Sequence, residues 1–345
     1  MSSFTVGLAI LGGLLLAGLV AWNAWTTRRA APRQPEAGGE AAAGVEPTLG
    51  ERREPSLDSD PAPLGDIPQP EKKPGLDALI DAIGSIEIDT PASGEAAIAA
   101  LPPTRRAGSK PFAIEGRNAA TQQWEAPRAG QRYDAFQAGV QLASRNGALN
   151  EIEYSEFVVK AQAFAAALEG EASFPEMLDA VARARELDQF AGAHDAQLSF
   201  TLRARSAAWS PGYVQQCAAK HGFVPGAIPG RFVLPGSTQG AQPLLVLAFD
   251  THAAMAEDPA HTAVREVTLS LDVPHVPRGE QPFVRMREAA IALAASMDGL
   301  ITDDNGQVIR PEALDAIGAD LETLYDTLEA RDLAAGSPQA RRLFS

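Results

Sequence analysis

Residues Phe4 to Trp22 carry no charged side chain, and this run constrains the chain more than any other feature. At 1.5 Å per residue, ~19 helical residues span about 28 Å, close to the thickness of a bilayer's hydrocarbon core. Trp22 and Trp25 stand at one end of the run, where indole rings favour the headgroup layer. Arg28, Arg29 and Arg33 follow, and only the terminal amine precedes the span. The positive-inside rule therefore puts the C-terminal side in the cytoplasm and the N-terminus outside. A cleaved signal peptide is the competing reading. Against it stand the missing basic n-region, an apolar run too long for an h-region, and arginines where a small-residue cleavage site would fall. Gly12-Gly13 lie inside the span without forming GxxxG, so helix pairing is not indicated. Residues 1–27 are expected to be a transmembrane anchor in contact with a lipid bilayer.

From 28 to 75 the composition changes. Nine prolines, from Pro32 to Pro74, are scattered among Ala, Gly and Glu, and apolar residues are isolated. Such a stretch buries too little surface to offset its chain entropy, so it is expected to be a disordered linker. A random coil of ~48 residues spans roughly 35–40 Å, and prolines extend it. The expected role is reach below a membrane.

The remaining chain is long enough for a substantial core, since 45% of all residues are apolar. The net charge of −15 argues against nucleic acid, because phosphate contacts need clustered Lys and Arg. The single cysteine, Cys217, rules out an internal disulfide framework and fits a reducing compartment.

Regular patterning begins near Leu76. Over 76–195 the pattern predicts strands at 85–89, 111–115 and 133–143, and helices at 93–101, 150–168 and 174–192, with Pro102-Pro103 stopping the first helix. Over 196–333 it predicts a strand at 197–204, where Leu198, Phe200 and Leu202 alternate with polar residues. Ser210-Pro211 opens a helix to Lys220 as cap and first-turn proline. Strands at 231–234, 244–250 and 266–273 follow. Phe283, Met286, Ala290, Leu293 and Met297 form one stripe of a helix over 282–297. Residues 300–310 read as a hairpin around Asn305-Gly306, and Pro311 starts a last helix. Residues 334–345 read as a flexible tail. Both halves run strand, helix, strand, strand, helix. That order implies an α+β fold: small antiparallel or mixed sheets with helices on one face, the other face uncovered, and two related repeats from an old duplication.

No motif carries chemistry. GxSxG, a phosphate loop, GxGxxG and HExxH are all absent from the sequence. Cys217 reads as a small buried residue. His252, His261, His275 and Asp250 lie on separate segments without ligand spacing, so neither a metal nor a cofactor is expected. Asp303-Asp304-Asn305-Gly306 lacks the calcium-loop pattern and reads as a turn. Asp179, Glu186 and Asp188 belong to a solvated helix face. What remains is surface: an open sheet face on the side of Thr268, Ser270 and Asp272, which apolar residues such as Ile228, Leu247 and Phe249 would turn into a peptide groove.

The chain resembles the ZipA cell-division family. Its order of anchor, Pro-rich linker and C-terminal α/β domain is similar, and local similarity is clearest over 197–330. Lys220-His221-Gly222-Phe223, Pro243 to Ala248, Val267 to Pro274, and the stretch from Phe283 through Asp298-Gly299-Leu300-Ile301-Thr302-Asp303-Asp304 to Pro311 carry it. The resemblance implies a non-enzymatic adaptor at the inner membrane, near the division site. It further implies that the domain binds the C-terminal peptide of FtsZ in a shallow groove on the sheet and ties the division ring to the membrane. By position, the groove would involve Ile228, Leu247, Phe249, Thr251, Thr268 and Ser270. Thr251 and Ser270 stand where the family tends to have bulky apolar side chains, and Pro229-Gly230 interrupt the second strand. Residues 76–195 have no counterpart in simpler members. A scaffold for another cytoplasmic partner and an enzyme with an unfamiliar site are the alternatives.

Overall fold

The computed structural model describes residues 32–35, 75–237, 242–259, 261–303 and 305–345. The expected anchor at Phe4–Trp22 and most of the 28–75 linker lie outside them. Among the described residues no helix is long and apolar enough to cross a membrane. The chain divides into two compact units. Of the described residues, those in 75–197, 272–279 and 319–345 make one unit, called proximal because its first strand comes first in the sequence; those in 32–35, 198–271 and 280–318 make the other, called distal.

The proximal unit contains β1 (Asp81–Ser93), α1 (Gly94–Ala100), β2 (Arg106–Ala107), β3 (Lys110–Asn118), β4 (Trp124–Glu125) and β5 (Arg132–Gln141). There follow β6 (Ala143–Ser144), β7 (Gly147–Ala148), α2 (Glu151–Ala167), β8 (Gly170–Ser173) and α3 (Met177–His194). Its sheet runs β2-β3-β5-β1-β8, with β4 beside β3. Asn150 caps α2 in a full capping box with Glu153, which satisfies end amides that would otherwise lack partners. Helix α2 then lays Tyr154, Phe157, Ala161 and Phe164 on the sheet. Phe157 meets Phe112, Tyr154 and Phe174 edge-on, and Phe164 meets Phe136 the same way, a favoured aromatic geometry.

The distal unit begins with β9 (Gln197–Ala204), α4 (Pro211–Lys220), β10 (Val224–Pro225), β11 (Arg231–Leu234) and β12 (Leu245–Ala248). It continues with α5 (Thr251–Ala254), β13 (Glu266–Asp272), α6 (Pro282–Met297) and β14 (Gly299–Thr302). Its strand order is β10-β11-β12-β13-β9-β14. Phe200, Leu202, Phe232, Leu245, Leu247, Val267, Leu269 and Leu271 point into the core, where α4 supplies Val214, Cys217 and Ala218 and α6 supplies Met286, Ala290, Leu293 and Met297. Trp209 is fully buried and donates its indole N–H to the Met297 carbonyl at 2.7 Å. Helix α7 (Pro311–Glu329) follows, and α8 (Pro338–Leu343) ends the chain in the proximal unit.

The two sheets share a plan. The first strand of each, β1 or β9, is central; the strand before the long helix and the strand after it flank it, β5 and β8 in one case and β13 and β14 in the other. The α+β reading with small antiparallel sheets therefore holds.

Three local expectations change. Strand β8 lies between the two helices expected at 150–168 and 174–192, where the pattern predicts no strand. Within the 300–310 hairpin, β14 pairs along its length with β9, and among the described residues the returning arm is joined to it by a bridge at Thr302–Val308. The tail at 334–345 is not frayed: Ala340, Leu343 and Phe344 are fully buried.

Candidate partner-binding face

The register of the distal sheet decides which side chains share a face, because successive side chains of a strand point to opposite sides. Leu247 pairs with Phe232 and with Leu269, all on the core side. The opposite side carries two rows across the sheet. In the first, Val224 pairs with Val233, Val233 with Val246, and Val246 with Ser270. In the second, Arg231 pairs with Ala248 and Ala248 with Thr268.

These residues are exposed or half-buried, Val224 at 46%. Three valines in line form an apolar strip, and Ala248, Ser270 and Thr268 give it a low floor. The Ser270 hydroxyl donates to the Val246 carbonyl at 3.3 Å, so its polarity is partly spent within the sheet. Farther along the same face Arg203 and Glu266 pair at 2.8 Å. An extended peptide could lay alternate apolar side chains on such a strip.

The sequence-derived groove residues divide. Thr268 and Ser270 lie on this face. Ile228 is 51% exposed and sits in the turn before β11 rather than on the strand; its carbonyl accepts from the Arg231 amide at 3.1 Å. Leu247 is fully buried and takes no part in an open surface. Phe249 follows β12 on the core side, half-buried, with its ring 6.1 Å from that of Phe232. Thr251 begins α5, capped by Asp250, beyond the end of β12. Val224, Val233 and Val246 share this face with Thr268 and Ser270 without being among the sequence-derived residues.

Residues 214–320 match the family described as ZipA, C-terminal FtsZ-binding domain. The match supports a ZipA-family protein. It begins inside α4 and runs into α7, so it covers most of the distal sheet and the whole open strip. FtsZ is what that description names as the domain's binding partner. No curated protein sequence matches the chain.

Candidate chemistry elsewhere is occupied by structure. His221 Nε2 lies 2.7 Å from Ser296 Oγ, but that hydroxyl donates to the Ala292 carbonyl at 2.8 Å within α6. Among the described residues no three His, Cys, Asp or Glu side chains could hold a metal ion. His261 pairs with Asp258 at 2.8 Å, and His275 Nε2 contacts the Phe344 carbonyl at 3.0 Å. Lys110 is fully buried and donates to the Gly147 carbonyl and to Ser144 Oγ, which ties down the β6–β7 turn. Burial pulls its ammonium below the usual lysine range.

Proposed function

We propose that this chain is a non-enzymatic, single-pass adaptor of bacterial cell division that holds FtsZ at the inner membrane. The distal sheet captures the C-terminal peptide of FtsZ on the face of Val224, Val233, Val246, Ala248, Thr268 and Ser270, with Ile228 at its end. The anchor at 4–22 leaves the N-terminus periplasmic and both units cytoplasmic, and the 36–74 stretch supplies reach.

The observation that carries this reading is the coincidence of the family match with a sheet that turns Leu247 and Leu269 inward and leaves a valine strip outside. Recognition needs an apolar strip, backbone polar groups and little else, which agrees with the absence of catalytic motifs in the sequence.

A flotation assay tests both arms together. The full chain, reconstituted in liposomes, is expected to carry FtsZ to the top of a density gradient, and FtsZ lacking its C-terminal peptide is expected to stay behind. Flotation of the chain without FtsZ would reject the binding arm. Failure of the chain itself to float would reject the anchor.

A further inference from the structure

The composition of 28–75 predicts disorder throughout, yet residues 32–35 are placed against the distal unit. The Arg33 amide donates to the Ala208 carbonyl at 2.7 Å, and the Ser210 amide donates to the Arg33 carbonyl at 2.9 Å. Together these make a parallel bridge between Arg33 and Trp209. The Arg33 guanidinium donates to Asp298 Oδ2 at 2.6 Å. Pro32 is buried. Pro35 Cγ lies 3.2 Å from where a side chain on Gly212 would begin, so glycine there leaves the proline its seat.

The receiving site is built. Asp298 ends α6 in the left-handed conformation, φ 52°. Ser206 Oγ donates to the same carboxylate oxygen at 3.1 Å, and Arg205 Nε stands 3.7 Å from the other. An aspartate fixed in this way offers a directed acceptor to an incoming cation, and charge-assisted bonds of this kind are the stronger ones. The two prolines restrict the segment before it docks, which lowers the entropy lost. Being part of the same chain raises its effective concentration at the site.

We propose that Pro32–Pro35 is an intramolecular docking segment that shortens the tether. The docking stands by itself; its consequence for reach rests on the anchor at 4–22. With the segment docked, only residues 23–31 separate the membrane from the distal unit, a contour of about 30 Å. With it released, residues 23–74 separate the membrane from residue 75, a contour of roughly 170 Å. A segment of four residues, with Gln34 and Pro35 exposed, is short enough to open and close, so the adaptor has a short and a long form.

Amide hydrogen exchange on the full chain in detergent tests the docking without relying on the anchor. The Arg33 and Ser210 amides are expected to exchange slowly. Arg33→Glu, which sets a like charge against Asp298, is expected to speed both at least tenfold while amides of β12 and β13 keep their rates. Asp298→Asn keeps shape and tolerates the left-handed backbone, and should act in the same direction. Equal exchange at Ser210 with and without Arg33→Glu overturns the proposal. Protection that fades on dilution also overturns it, because the segment would then come from a second copy.

Reach is read separately in liposomes with an acceptor lipid. Energy transfer from a dye on Met255→Cys, an exposed position, is expected to fall when Arg33→Glu is added. Unchanged transfer removes the role in reach, whereas failure to enter liposomes counts against the anchor alone.

Discussion

Arg342 grips the fully buried carboxylate of Asp81 through both terminal nitrogens, at 2.9 and 2.5 Å. The partners stand 261 positions apart in sequence, so the last turn of the chain locks the first strand of the proximal sheet. Around them Gln141 donates to the Arg342 carbonyl at 2.8 Å, and Gln339 donates to Asp77 at 2.9 Å. The chain end is thus a structural part of the proximal unit.

Arg342→Ala leaves the Asp81 carboxylate buried without its cation. Breaking a buried pair from one side costs about 3–5 kcal/mol. Urea denaturation of the full chain is expected to show a loss in that range for the transition of the proximal unit. Removal of residues 334–345 should cost more, because the apolar burial of Leu343 and Phe344 goes as well.

Tyr325 gives a pH dependence. Its hydroxyl is buried and has no hydrogen-bond partner among the described residues. Burial, with Glu322 adding to it, pushes its pKa up to about 12. An unfolded tyrosine titrates near 10. Between these values the folded chain holds a proton that the unfolded chain has released, so stability falls as pH rises above about 10. Tyr325→Phe removes this slope and sacrifices no hydrogen bond. The variant's stability relative to the natural chain, from urea midpoints at pH 8 and pH 11, is expected to be larger at pH 11.

Neighbours on β12 should differ sharply. Leu247→Ala opens a cavity in the core of the distal unit and is expected to cost about 2–5 kcal/mol. Val246→Ala removes half-buried methyl groups from the outer face and should cost less than about 1 kcal/mol. Thermal or urea unfolding of the two variants checks the face assignment independently of any partner.

That assignment marks where sequence reading succeeded and where it stopped. Strand β9 was legible because Phe200 and Leu202 alternate with polar residues, and α4 because Ser210-Pro211 is a strong start signal. The stripe of α6 is equally plain. The run Leu244 to Ala248 is apolar at every position, so its own pattern cannot tell inside from outside. Only its pairing with Thr268 and Ser270 does, and this moved the candidate contacts from Leu247 to Val246. Strand β8 has four residues, Gly170 to Ser173, with no apolar alternation to announce it. The closing helix α8 was hidden because Arg341, Arg342 and the alanines around it resemble a solvated tail; its order comes from the distant partner Asp81. Residues 32–35 look like linker for a similar reason, since their partners are Ala208, Ser210 and Asp298.

The affinity of the full chain for the C-terminal peptide of FtsZ, measured by calorimetry with and without Val246→Asp, tests the central claim most directly. A charge set into the valine strip should weaken binding at least tenfold, with Val224→Asp acting in the same direction from the exposed edge. Equal affinities for the natural chain and for both variants, or no binding of the natural chain at millimolar peptide, would contradict the assignment of this face.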